Sequence, residues 1–205
     1  MSMLDMTLRE FTDTLASKSP VPGGGGASAL CASLAAALGS MVCALTSGKA
    51  KFAPVQNEID AITAEAEELK NELLALIDGD AAAFEPLSKA YSLPKDAPGR
   101  DAVMEKCLAD AAAAPMAILE KCCAVIALME ELSPICSRLA ISDVATGAVL
   151  AWGAMYGSAM NVLVNTKYMK NREAAAGLNA RVNTLMGEYW QRADKLYEKI
   201  FADLS

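Results

Sequence analysis

The chain contains two kinds of segment: some are apolar at almost every position, and others carry apolar residues every three or four positions. The segments 27–46 and 141–168 are of the first kind, since the first has no charged residue and the second has none between Asp143 and Lys167. Helices that are apolar on most faces are buried, either in a protein core or in a membrane. The pattern therefore predicts two buried helices.

The other segments have the apolar spacing of amphipathic helices. The helices predicted from this spacing are a short one at 5–16 with Thr7 as N-cap, a long one opened by Pro54, segments from about 100 and at 115–132, and a charged one at 171–203. Residues 17–26 and 92–99 are predicted loops, and Pro115 and Pro134 are predicted breaks or kinks.

The fold class follows from these segments. No stretch has the alternation of a β-strand bounded by hairpin turns. We therefore predict an all-α, single-domain helical bundle over residues 1–205, in which amphipathic helices wrap the two buried apolar ones. A chain of 205 residues is long enough for one sizeable core.

A membrane protein is the alternative, because both uncharged stretches are long enough to span a bilayer. They are rich in Ala, Gly and Ser rather than Leu, Ile and Phe, and the second contains Asn161 and Asn165. This composition favours central helices of a soluble bundle over membrane spans.

Charge and composition exclude several functional classes. The net charge is −7 with no basic block, which argues against a nucleic-acid partner. The absence of histidine removes Ser-His-Asp and Cys-His catalysis and the usual zinc ligand sets. Six cysteines without a CxxC motif, and an N-terminus without a signal peptide, lead us to expect a cytoplasmic protein with reduced thiols.

One carboxylate falls on the apolar face of the long helix. That face contains Val55, Ile59, Ile62, Ala66, Leu69, Leu73 and Leu76, and the next position in the pattern is Asp80. A carboxylate among apolar residues is costly unless paired or protonated, and its pKa rises through desolvation. Asp80 is either a structural group, capping a helix or pairing with a buried cation, or an acid/base or cation-stabilising group.

Small residues form a seam on the second buried helix. Asp143, Gly147, Leu150, Ala154, Gly157 and Asn161 share one face, and Asn165 follows. Such a seam allows another helix or a ligand to approach closely. Helix packing is the simpler interpretation for the glycines, whereas Asp143 and Asn161 remain candidates for binding.

The stretch PVPGGGGASAL, residues 20–30, leads into the first buried helix. It is neither a dinucleotide fingerprint nor a phosphate loop, because no strand precedes it and no GK[ST] closes it. The glycines either allow a tight turn or bring free N–H groups close to a ligand.

Five stretches occur in the order typical of the cyclodeaminase/cyclohydrolase family, which the chain resembles over nearly its whole length. They are PVPGGGGASAL, AAALGSMVCALTSGKAKF, LIDGDAAAF, YSLPKD and AISDVATGAVLAWGAMYGSAMNVLVN. The family is all-helical and forms dimers, so the resemblance implies a homodimer. The chain departs from the family pattern at two places. Gly26 stands where a serine is common, and the segment SPICSRLAI before Ser142 replaces a polar stretch that contains asparagine.

The resemblance also implies which residues form the site. It assigns the catalytic carboxylate to Asp80 and substrate binding to Pro22, Gly23, Gly24, Gly25, Thr46, Lys49, Ser142, Asp143, Asn161 and Asn165. Lys49, Lys51 and Arg138 are candidates for holding the anionic glutamate tail of a folate.

The activity implied is methenyltetrahydrofolate cyclohydrolase, with formimidoyltetrahydrofolate cyclodeaminase as the alternative. Each reaction passes through a tetrahedral carbon beside cationic nitrogens, and neither needs a metal or another cofactor. A buried carboxylate can stabilise the cation and take a proton, which favours Asp80 over any Cys or Lys. A non-catalytic helical interaction module is the alternative of another class.

Overall fold

The structure, a computed structural model, describes residues 2–205. These residues contain no strand, which confirms the predicted all-α class. They form six α-helices: α1 (Leu8–Leu15), α2 (Gly24–Thr46), α3 (Gln56–Tyr91), α4 (Arg100–Leu132), α5 (Ile141–Tyr168) and α6 (Arg172–Leu204). Short 3-10 turns lie at Met3–Asp5, Ala50–Val55 and Arg138–Ala140.

Helix α1 begins as the sequence predicts. The Thr7 side chain accepts from the Glu10 backbone N–H, and the Glu10 carboxylate accepts from the Thr7 backbone N–H. This reciprocal pair is a capping box, which satisfies two N–H groups that the first turn leaves free.

Helix α2 begins three residues earlier than predicted, so the expected loop 17–26 ends at Gly23. Gly24, Gly25 and Gly26 form its first turn. Glycine is a poor helix former, which is why the stretch reads as a loop. Here the absence of side chains lets α3 and α5 pack directly against the helix start, and those contacts override the propensity.

Two prolines also behave differently from the prediction. Pro54 lies in the 3-10 turn before α3 rather than in the first turn of that helix. Pro115 does not break the helical region from 100 to 132, because α4 runs continuously through it. Pro134 lies just beyond the end of α4, where a proline is compatible with helix termination.

Helices α2 and α5 pack antiparallel along the seam of small residues. The Cys31 thiol donates to the Leu150 carbonyl, and a Cβ added to Gly157 would overlap the Ser28 hydroxyl. At the other end the Thr46 hydroxyl accepts from the Ser137 backbone N–H at 3.0 Å. Close helix packing is therefore the role of these seam glycines.

The remaining long helices surround this pair. Helix α3 packs on α2 and α4, while α6 packs on α4 and α5. Helix α4 contributes many core residues and contacts all four of the other long helices. By length and composition alone, α2, α4 and the helical stretch Arg138–Tyr168 would be able to cross a membrane.

Candidate active site

A cleft of about 230 Å³ lies where the start of α2 meets α3, α4 and α5. Asp80 lines this cleft. Five of the predicted substrate-binding residues line it as well: Gly23, Gly24, Gly25, Asn161 and Asn165. Residues from three distant parts of the chain therefore meet at one place, where a carboxylate, two side-chain amides and the first turn of α2 line the same space.

The Asp80 carboxylate lies directly against the first turn of α2. A Cβ added to Gly25 would be closer than 3.0 Å to both carboxyl oxygens and to Cγ of Asp80. Only glycine at position 25 leaves room for the carboxylate there. Helix α3 is unbroken through Gly79, so the helical spacing does carry on to Asp80. In the turn before it, however, the buried residue is Ile77, and the predicted Leu76 is only partly buried.

Burial raises the pKa of the half-buried Asp80 carboxyl, and the Gly26 backbone amide opposes this shift. No lysine or arginine within residues 2–205 forms a salt bridge with it. Of the two structural roles considered for Asp80, pairing with a buried cation is therefore not found, whereas its place against the first turn of α2 matches the helix-capping role. A carboxylate without a cation is suited to stabilising a positively charged ligand.

The two asparagines are held by backbone hydrogen bonds along α5. Asn161 Nδ2 donates to the Gly157 carbonyl at 2.8 Å, and its side chain lies over Gly24, where an added Cβ would be 2.9 Å from Nδ2. Asn165 Nδ2 donates to the Asn161 carbonyl at 2.9 Å. These bonds use the amide nitrogens, so each Oδ1 remains an acceptor for a ligand N–H.

Asn165 also bridges α5 to α4. Its Nδ2 donates to the Ala111 carbonyl at 3.0 Å. Pro115 stands four residues after Ala111 and has no N–H, so it cannot make the helical bond to this carbonyl. The asparagine supplies the donor that the proline lacks, which lets α4 continue through the proline in the cleft wall.

Pro22, Thr46 and Lys49 do not line the cleft. Pro22 is buried behind the glycines, and its neighbours Pro20 and Val21 line the cleft instead. The buried Thr46 hydroxyl is occupied by backbone groups of Val42 and Ser137. Lys49 is exposed beyond the end of α2, about 35 Å along the helix from Gly24 at 1.5 Å per residue.

Ser142 and Asp143 also lie at the opposite end of the bundle from Asp80. They are in the first turn of α5, whereas Asn161 lies five turns further along. Ser142 lines a second cavity, of about 340 Å³, together with Tyr197 and Phe201 of α6. That cavity is larger but mainly apolar, so it lacks the chemistry found around Asp80.

Several residues of the cleft were not predicted as site residues. Phe84, Ala111, Pro115 and Val164 complete its walls. Phe84 was detectable, because it lies one turn after Asp80 on the same helix face. The α4 residues were not, because only the tertiary packing brings Ala111 and Pro115 beside α5.

Comparison with known proteins identifies relatives along almost the whole chain. Residues 7–184 match the formiminotransferase-cyclodeaminase family. The methenyltetrahydrofolate cyclohydrolase of Methylorubrum extorquens is 33% identical over 198 residues, which cover 95% of each chain. The formimidoyltransferase-cyclodeaminase of Sus scrofa is 31% identical over 98% of this chain, although the match spans only 38% of that longer protein.

A solved structure has the same architecture. The crystal structure of formiminotetrahydrofolate cyclodeaminase from Thermotoga maritima superposes with a TM-score of 0.84 and 27% sequence identity. The match covers 97% of this chain and 98% of that one. The bundle is therefore shared with a protein of similar length.

Proposed function

Because the chain belongs to the formiminotransferase-cyclodeaminase family, we propose that it is an enzyme of folate one-carbon metabolism, a methenyltetrahydrofolate cyclohydrolase. The observation that carries this proposal is the Asp80 carboxylate, half-buried without a cationic partner against the glycine turn of α2. The sequence match to a cyclohydrolase extends over 95% of both chains.

In the proposed reaction, water attacks the methenyl carbon that bridges N5 and N10. Asp80 stabilises the cationic methenyl group while ionised and accepts a proton from the attacking water. The tetrahedral carbon then loses its bond to N5, leaving a formyl group on N10. Of the two protons that leave the water, one ends on N5 and the other in solvent. This chemistry uses no cofactor beyond the folate itself.

The other residues of the cleft orient the folate. The open space beside Gly23 lets the backbone approach the substrate there, whereas the missing side chains of Gly24 and Gly25 make room for Asn161 and Asp80. Asn161 and Asn165 offer carbonyl oxygens to the N–H groups of the pterin, since their amide nitrogens are already bonded to backbone. Such positioning brings the attacking water and the methenyl carbon together.

Cyclodeaminase activity is the second candidate, favoured by the similarity to the Thermotoga maritima enzyme over its full length. In that reaction N10 attacks the formimino carbon on N5, and ammonia leaves from the tetrahedral carbon. Asp80 stabilises the same kind of cation and relays a proton from N10 to the departing amine. The same cleft therefore serves either reaction.

A homodimer formed through α5 would complete the site. The exposed side of this helix is an uncharged stripe of Val149, Gly153, Tyr156, Met160 and Val164, and Val164 also lines the cleft. An exposed apolar stripe of this kind is typical of a protein interface.

Two such helices packed antiparallel about Gly153 would bring Ser142 of one protomer beside Val164 of the other. Ser142 and Asp143, which lie far from Asp80 in their own chain, would then approach the partner's cleft. Met160→Asp is expected to yield monomers in sedimentation equilibrium. A wild-type monomer at micromolar concentration would contradict the dimer.

We expect the protein to be soluble and cytoplasmic, without a membrane or nucleic-acid partner. The three apolar helices bury much of their surface against one another, and α3 and α6 cover them with charged residues. All six cysteines, each within residues 2–205, are unpaired. Unpaired thiols are typical of a reducing compartment.

The function is tested by absorbance at the methenyltetrahydrofolate band. Enzyme-dependent loss of the band from methenyltetrahydrofolate supports cyclohydrolase, and its appearance from 5-formiminotetrahydrofolate supports cyclodeaminase. Asp80→Asn is expected to lower turnover by on the order of 10² to 10⁴ with the fold intact. No turnover of either folate by the wild type would favour a helical interaction module.

A further inference from the structure

The cleft and a third cavity lie along one groove, since successive residues of the same three helices, α3, α4 and α5, line both of them. Asp80, Phe84 and Tyr91 are four and seven residues apart on α3, so they share one face. Ala111, Leu108 and Met104 form the matching face of the antiparallel α4. This third cavity, of about 230 Å³, is lined by Tyr91, Met104 and Leu108.

The floor of this groove is apolar. Leu87 and Leu108 are buried there in a small cluster, and Phe84 and Met104 pack against it from the surface side. From Asp80 to Tyr91 the groove is about 16 Å long at 1.5 Å per residue. Phe84 and Met104 therefore give an apolar surface to the path from the reacting centre to the third cavity.

Two cations line the third cavity, and Lys170 is the one that forms a salt bridge. Asp101 pairs with Lys170, and the Glu105 carboxylate accepts the backbone N–H groups of Lys170 and Asn171. Arg100 also lines the cavity and forms no salt bridge within residues 2–205. Its Nε donates to the Leu93 carbonyl at 3.2 Å, which fixes the guanidinium and leaves its terminal nitrogens free.

Two aromatic side chains accompany this cation in the cavity lining. Tyr91 and Tyr168 line the same cavity and are more than half exposed. The Lys167 ammonium lies 5.6 Å from the centre of the Tyr168 ring. A phenol hydroxyl donates hydrogen bonds to carboxylates, so the cavity combines two such donors with a guanidinium.

We propose that the aminobenzoyl ring and γ-glutamyl tail of the folate lie in this groove, with a tail carboxylate bound by Arg100. This inference rests on the proposed function, which supplies a substrate whose tail begins at N10, beside the reacting carbon. The ring contacts the partly exposed side chains of Phe84 and Met104, and the carboxylates reach the cation. Lys49, Lys51 and Arg138, the cations favoured from sequence, lie at the other end of the bundle within the same chain.

The test compares methenyltetrahydrofolate bearing one glutamate with the same folate bearing several γ-linked glutamates. Arg100→Ala is expected to raise KM by about tenfold, through loss of a charge-assisted hydrogen bond, with kcat unchanged. The rise is larger for the polyglutamate, because more carboxylates reach the cavity. Arg100→Gln, which keeps a donor for the Leu93 carbonyl, is expected to give the same rise.

Lys199→Ala is the matched control, since it removes one positive charge from an exposed position on α6. It is expected to leave KM unchanged for both folates. If the wild type is active and neither Arg100 variant changes KM, or if Lys199→Ala changes it equally, the tail site is wrong while the proposed function stands. If the wild type turns over neither folate, the proposed function fails and the tail site with it.

Discussion

Replacing Gly25 by alanine is expected to displace the Asp80 carboxylate and to remove most activity. The new Cβ would lie closer than 3.0 Å to three atoms of that carboxyl group, an approach that real Cβ atoms essentially never show. The carboxylate is the end of a side chain and yields before the helix backbone does. A displacement of about 1 Å at a reacting group costs on the order of 10² in rate.

The same substitution is expected to cost little stability. Overpacking costs about 1–3 kcal/mol, and the better helix propensity of alanine returns up to about 1 kcal/mol. For a chain of this size the net loss lowers Tm by a few degrees, which thermal unfolding followed by circular dichroism measures. Loss of the methenyl absorbance band measures turnover on the same preparation.

Gly26→Ala is the matched control in the same helical turn. Its Cβ would lie 3.4 Å from Pro22 Cβ and 3.8 Å from Ile77, distances that require little or no movement. It is therefore expected to keep wild-type turnover. Full activity of Gly25→Ala would refute the assignment of Asp80, and an equal loss in Gly26→Ala would attribute the effect to the helix start in general.

Two further predictions concern stability. The pKa of Asp80 is higher in the folded protein than in the unfolded chain, so folding takes up a proton and stability falls as pH rises from the ordinary Asp pKa through the raised one. Asp80→Asn is accordingly expected to raise Tm near pH 7, but not at a pH below the ordinary Asp pKa of about 3.9. If the Tm difference between the variant and the wild type is the same at every pH, this reasoning is wrong. Gly147→Ala would drive a Cβ into Met129 and is expected to lose about 1–3 kcal/mol in urea unfolding, whereas Gly177→Ala on α6, with open space around it, is expected to lose nothing.

Much of the fold was predictable because it depends on local spacing. The apolar face of α3 predicts the buried positions from Ile59 to Leu73 and carries the pattern on to Asp80. The seam of α5 likewise predicts close packing, which Gly147 and Gly157 make against α4 and α2. These features follow from helical periodicity alone.

Other features depend on contacts that no local pattern contains. The sequence predicts a loop at Gly24–Gly26, because glycine is a poor helix former. The turn is helical in the structure, where the Asp80 carboxyl and the Asn161 amide pack against it. Arg100 and Tyr168 are unremarkable in the sequence and meet only in the folded chain. Lys49 resembles a family site residue, yet the length of α2 separates it from Asp80 within one chain.

The hydrogen bond from Asn165 to the Ala111 carbonyl restricts the order in which two positions can change during evolution. While Pro115 is present, losing Asn165 leaves a buried carbonyl without a donor, at a cost of about 1–3 kcal/mol. If Pro115 is replaced first, the new residue supplies its own N–H, and the Asn165 side chain is then held in place only by its role in the cleft. Among descendants of this chain, substitutions at 165 are therefore expected to follow substitutions at 115 rather than precede them.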